Sequence, residues 1–281
     1  MLEKQARFHL YRYQLLPKDR YFQGDLYGAS SVDELIEKKN SIFSDILTQN
    51  VFKGVRTEVS VQKIFEKDNL FLYKLAANRS INRETRDFKV EQMDNWPKVL
   101  LAVWNDPEKQ LIAVQHRYAA FQKTDSVMNM LFNSIEQDLS KFQLNAIWDP
   151  LFEKNVFWDL IEAHRGQVQE IEFEIITPNM ANISGSIADN LKDLAKQSNS
   201  IKNKISMLSD ASSSLNIAPD NNTVSGLVDY ASEGGGDISV RIKGMSKKIH
   251  TSKTIKEVSI AEAELIGDPE GIAKILRGLL S

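Results

Sequence analysis

Cysteine is absent from the 281 residues, which excludes disulfides, thiolate nucleophiles and every sulfur-ligated zinc or iron–sulfur site. Metal chemistry would have to rest on oxygen and histidine donors. Histidine is itself scarce. His9, His116, His164 and His250 are scattered, with no His-x-x-x-His or Glu-x-x-His spacing to set two ligands on one helical face. Long apolar runs are missing too: the longest, Val99–Trp104, falls far short of the roughly 20 residues that a membrane-spanning helix needs. The first ten residues carry Glu3, Lys4 and Arg7, and no uninterrupted apolar stretch follows them. The expectation is a cytoplasmic protein without membrane insertion. Gly185-Ser186 and Ser232 lack the Gly-x-Ser-x-Gly elbow, and glycines 234 to 236 are not followed by the Lys-Ser/Thr of a phosphate-binding loop. Neither an enzyme nor a cofactor is expected on this evidence.

What is present is ordinary globular material, 42% hydrophobic and 26% charged, long enough for two modest domains. Phe8–Leu16 alternates loosely and reads as a strand. Ser31 and Glu34 form a capping box at the head of an amphipathic helix reaching Gln49. From Val55 to Val114, short β-rich runs separated by turn signals (Lys67–Asn69, Asn95–Pro97, Asn105–Pro107) predict an antiparallel meander. Thr124 or Asp125 caps a second amphipathic helix that buries Val127, Leu131 and Ile135. A strand at Gln143–Ile147 is expected to break at Asp149-Pro150, and a short helix covers Phe157–Ala163. Gln167–Thr177 alternates apolar residues against Glu170, Glu172 and Glu174, which predicts a half-buried strand with an acidic outer face.

Beyond residue 178 the composition turns to Ser, Asn, Lys and Asp. Helical spacing of Ile187, Leu191, Leu194, Ile201, Ile205 and Leu208 predicts a long surface helix over Ser186–Leu208. Ser232–Gly236 reads as a flexible connector into a basic β-hairpin, Ile238–Lys243 returning through Ile249–Ile260, and a helix over Ile272–Leu280 closes the chain. The predicted fold is α+β: an antiparallel sheet flanked by amphipathic helices in domain 1–178, and a smaller α+β domain in 179–281.

Positive charge is concentrated near the C-terminus. Arg241, Lys243, Lys247, Lys248, Lys253 and Lys256 fall in a stretch with no acidic residue, in a chain whose formal charge is −3, so setting these six aside leaves −9. A basic ribbon can track a phosphate backbone even on an acidic protein, because the local field decides. The competing explanation is an edge hairpin whose lysines block strand-to-strand association. A second basic group, Arg79, Arg83, Arg86 and Lys89, offers further phosphate contacts, or else a solvated loop paired with Glu84 and Asp87. The three strand glutamates suggest a divalent-metal nuclease only weakly, since no lysine stands two residues after any of them.

Several local patterns are carried together: Leu70–Leu75 before the basic Asn/Ser/Arg loop, Trp96-Pro97 before Val99–Val103, the turn into Ile112–Val114, the aromatic-to-helix step from Phe121 to Leu131, and Trp148–Leu151 before the alternating strand. In this order they resemble the layout of phage-exclusion, abortive-infection proteins of the RexA kind. That resemblance implies a DNA-binding, dimeric sensor of antiphage defence working with a separate effector. The expected function is therefore non-enzymatic binding of nucleic acid, DNA in the first instance, by a homodimer. A protein-interaction subunit of a defence complex is the alternative, and a metal-dependent nuclease the third reading.

Overall fold

The computed structural model describes residues 4–280 apart from 20, 22, 27–28, 50–51, 53, 55–57, 108, 177–192 and 196. The protein is α+β with antiparallel sheets. Its contacts divide the chain into two compact units, both discontinuous: Met1–Leu10 with Glu37–Ala146 and Glu257–Ser281, and Tyr11–Ile36 with Ile147–Lys256. A cut at residue 178 falls inside the second unit, between strands that pair with each other.

The larger sheet draws most of its strands from the first unit. Strand β1 (Gln5–Pro17) is paired by β15 (Glu257–Ala261), and the sheet continues through β9 (Leu111–His116), β8 (Lys98–Trp104), β5 (Leu70–Ala77) and β4 (Val59–Lys67). On the other side of β1 the order ends at β10 (Leu144–Pro150). β5, β8 and β9 are apolar on both faces, with Leu70, Leu72, Leu101, Val103 and Val114 fully buried, as befits interior strands. Helix α2 (Asp125–Lys141) buries Val127, Met128, Leu131 and Ile135, the stripe its periodicity predicts. A terminal helix, α5 (Pro269–Leu280), lies on β4, β5, β8 and β9 and buries Ile272, Ala273 and Leu276. Between β5 and β8 a separate two-stranded ribbon, β6 (Ile81–Glu84) and β7 (Val90–Met93), is exposed along its whole length.

The second unit is a four-stranded sheet in the order β12-β11-β13-β14, formed by β11 (Val168–Ile176), β12 (Lys202–Leu208), β13 (Gly236–Ile242) and β14 (Ile249–His250). Its inner face, with Ile171, Phe173, Ile175, Ile238 and Val240, packs with residues of α3 (Lys154–Ala163) and α4 (Asn222–Tyr230). The side chain of Asn221 caps α4 by accepting from the Val224 amide at 3.2 Å. A short ladder pairs β2 (Gln23–Leu26) with β3 (Ala29–Ser31), which leads into α1 (Val32–Gln49). There Ser31 Oγ accepts from the Glu34 amide at 3.2 Å, while the Glu34 carboxylate accepts from the Ser30 amide at 2.7 Å, a capping box shifted by one residue.

Four sequence expectations differ from the structure. The long helix over Ser186–Leu208 is not formed at its C-terminal end: Lys202–Leu208 is β12, and residues 186–192 lie outside the described residues. Ile201, Ile205 and Leu208 fit a helical template, but Asn203, Ile205 and Met207 also alternate with exposed Lys202, Lys204 and Ser206. Pairing with β11 settles the tie, placing Lys204 opposite Glu174. The connector Ser232–Gly236 is a buried, tightly built corner, discussed below. The hairpin's return is short: β14 spans two residues, a 3-10 turn follows at Thr251–Lys253, and Glu257–Ala261 leaves to pair with β1. Asp149-Pro150 does not end its strand, since β10 runs through Pro150.

Candidate nucleic-acid interface

The outer face of the second sheet is a ladder of charge. Alternation along β11 sends Glu170, Glu172 and Glu174 to this face and Ile171, Phe173 and Ile175 to the core. The neighbouring strands answer with cations. Arg241 Nε donates to Glu170 Oε2 at 2.9 Å, and Lys248 Nζ reaches Glu170 Oε1 at 2.7 Å and Glu172 Oε2 at 3.5 Å. From β12, Lys204 bonds Glu172 Oε1 at 2.8 Å and stands 3.5 Å from Glu174 Oε2, while Lys202 pairs with Glu174. Hydrogen bonds from Lys248 and then Arg241 hold the Glu170 carboxyl below its ordinary pKa, and the bond from Lys204 does the same for Glu172. Three carboxylates so bound to four cations are poor ligands for a divalent metal, which disfavours the nuclease reading built on them.

The structure therefore divides the expected contact residues. Arg241 and Lys248 are ion-paired on the ladder, and Lys256 pairs with Glu153 at 3.1 Å. Lys243 and Lys247, in the segment joining β13 to β14, are exposed, and so is Lys253 in the 3-10 turn; no ion pair is formed by these three among the described residues. In the first unit, Arg79 is committed to the fold: its Nε and one terminal nitrogen donate to the Ala120 carbonyl at 3.0 and 2.7 Å. Arg83, Arg86 and Lys89 lie on the exposed β6–β7 ribbon with Glu84, Asp87 and Glu91, and Arg83 stands opposite Glu91 in the register. Phe88 is 98% exposed at the ribbon's end with φ at 57°, and Ile81, Val90 and Met93 are exposed with it. Composition hid this ribbon, because its apolar residues are isolated among charges and produce no strand-like run.

The Asp149-Pro150 pair, a strand breaker by sequence, carries one further carboxyl of note. Asp149 on β10 is largely buried, its Oδ2 has no hydrogen-bond partner, and desolvation raises its pKa to about 7 against the opposing pull of Lys202. Asp237 at the start of β13 accepts from the Ser252 amide at 2.9 Å and from Thr251 Oγ1 at 3.2 Å, and lies 2.7 Å from His250 Nδ1. These bonds fasten the 3-10 turn to β13.

Among the described residues no helix is long and apolar enough to cross a membrane. No protein-family model matches the chain, and no curated protein or solved structure shows significant similarity to it.

Proposed function

We propose that this protein binds nucleic acid through phosphate contacts made by the β13–β14 end of the second sheet. The observation that supports it is the excess of cations there. Lys202, Lys204, Arg241 and Lys248 already offset Glu170, Glu172 and Glu174, and Lys243 and Lys247 then stand exposed at the rim with no carboxylate against them among the described residues. A neutralised ladder bordered by free lysines is a short positive edge, suited to one or two phosphates per chain. DNA is the first ligand to test. A dimer, an antiphage role and a separate effector belong to the same reading and rest on the resemblance of layout alone.

With Lys243, Lys247 and Lys253 as the contacting set, log K falls with log salt at a slope of about −3. The six cations of the whole basic stretch would give about −5. Fluorescence anisotropy with a labelled duplex and a labelled single strand, titrated from low to moderate salt, measures this directly. K243Q/K247Q is expected to reduce the slope to about −1, the share of Lys253 alone. Absence of binding at low salt, or an unchanged slope in the double variant, would overturn the proposal.

A second reading, a protein-interaction subunit, is favoured by one specific feature. The β6–β7 ribbon carries equal numbers of basic and acidic side chains beside exposed Ile81, Phe88, Val90 and Met93, which is the balance of a protein contact more than of a phosphate contact. Complex formation that survives high salt and is lost in F88S would identify it.

A further inference from the structure

Two of the four scattered histidines meet in the first unit. His9 on β1 lies directly opposite Glu257 of β15 in the strand register, and β9, which ends at His116, is also a neighbour of β1 in the sheet. The two imidazoles are stacked, centroids 4.6 Å apart and planes at 30°. His9 Nε2 is 3.5 Å from Glu257 Oε2, and one nitrogen of each histidine and one oxygen of Glu257 all lie within 4.8 Å of one another.

Two histidines and one carboxylate are the donor set that divalent zinc and its first-row neighbours select, with bonds of about 2.0–2.2 Å and donors about 3.3–3.5 Å apart in a tetrahedral shell. The His9–Glu257 separation already has that value, and the remaining donor needs about 1 Å of side-chain movement. Two independent details point the same way. His116 Nδ1 is buried and has no hydrogen-bond partner, which is costly unless something outside the chain satisfies it. On His9 the other ring nitrogen, Nδ1, is 2.8 Å from Thr124 Oγ1. With Nδ1 protonated and donating to Thr124 Oγ1, this is the outer hydrogen bond that fixes a ligating imidazole's tautomer and turns the Nε2 lone pair toward Glu257. Thr124 makes no side-chain cap for α2 although it occupies the capping position. Burial, and after it the neighbouring His116, hold the His9 imidazole below its ordinary pKa. Arg7 stands 3.7 Å from Glu257 Oε2, but with its side chain 56% exposed it forms a weak surface pair that a metal displaces.

We infer that His9, His116 and Glu257 form a binding site for a divalent transition-metal ion, with zinc as the first choice, water in the fourth position, and Thr124 as the positioning residue. The site ties β15 and β9 to β1. It involves none of the residues proposed to contact nucleic acid, and it stands or falls separately from that proposal.

The test uses the purified full chain stripped with chelator and titrated with Co²⁺, whose d–d absorption reports both stoichiometry and geometry, followed by competition with Zn²⁺. One ion per chain is expected, with tetrahedral-type bands. Saturating Zn²⁺ at about a hundredfold above Kd should raise the melting midpoint by roughly 5 °C. H116N and E257Q should each remove the bands, T124V should weaken binding roughly tenfold or more, and H164N should leave it unchanged. E257Q replaces an exposed side chain, so loss of the bands there cannot be ascribed to misfolding if circular dichroism is unaltered. No binding by the wild type, or equal binding by wild type and E257Q, overturns the inference.

Discussion

Replacing Gly236 by alanine tests whether the glycine run is a hinge or a corner. Gly236 has φ of 146° and ψ of −162°, a region open to glycine and almost closed to other residues, at a cost of about 1–3 kcal/mol. A β-carbon built there meets the Glu174 carbonyl oxygen at 1.8 Å, so the strands must separate by more than 1 Å before ordinary contact is restored. Gly236 is paired with Ile175 at the end of the β11–β13 ladder, and losing one or two of those bonds adds about 1 kcal/mol each. The expected loss is therefore about 2–5 kcal/mol. Gly226 is the control: it sits inside α4 at ordinary φ, with nothing within 4 Å of the added carbon, so G226A should stabilise by about 0.5–1 kcal/mol. Urea titration followed by tryptophan fluorescence reads both, since Trp158 belongs to the same hydrophobic core. If G236A unfolds at the same urea concentration as the wild type, the tight-corner reasoning is wrong and the connector is flexible after all.

Asp149 gives a pH prediction. Its folded pKa, about 7, lies above the ordinary 3.8, so the folded state holds the proton more tightly. Stability accordingly falls as pH rises from about 4 to 7, by up to roughly 4 kcal/mol, and is flat beyond; D149N should abolish that slope in denaturant titrations at successive pH values. E170Q should release Arg241 and Lys248 from their shared carboxylate and strengthen DNA binding several-fold by anisotropy, whereas weaker binding would mean the ladder must stay intact. Y230F removes the hydroxyl that donates to the Ile176 carbonyl and should cost about 1–3 kcal/mol by leaving a buried acceptor unpaired, measured as a lower thermal midpoint. F88S should leave stability within about 0.5 kcal/mol, and a larger change would show that the ribbon packs against something.

Much of the fold follows from local pattern. The helices over residues 32–49 and 125–141, the meander strands and the acidic alternation of 168–176 each have one period and one buried face, so a single physical template fits them. Lys202–Leu208 was ambiguous because its apolar residues satisfy both periods, and only a partner strand distant in sequence decides between them. The glycine corner was misread for a related reason. Three glycines indicate conformational freedom, and whether that freedom is used for mobility or for a close backbone approach depends on what lies 1.8 Å away. Basic residues were visible as a cluster, but their pairing with Glu170 and Glu172 comes from the register between strands, which composition does not encode. The His9–His116–Glu257 group was least visible, since its members are separated by over a hundred residues each and share no spacing motif. The faint signal was Thr124, a capping residue whose hydroxyl serves elsewhere.

The pairing of β15 with β1 sets a timetable for biosynthesis. Gln5 is opposite Ala261 and His9 opposite Glu257, so β1 leaves the ribosome about 250 residues ahead of the strand that pairs with it. At about 5–20 residues per second, roughly ten seconds to a minute passes while that edge of β1 stands without its neighbour. During this interval the nascent chain offers an unprotected strand to other chains. The charge of Arg7 on that edge is one device that discourages a wrong partner.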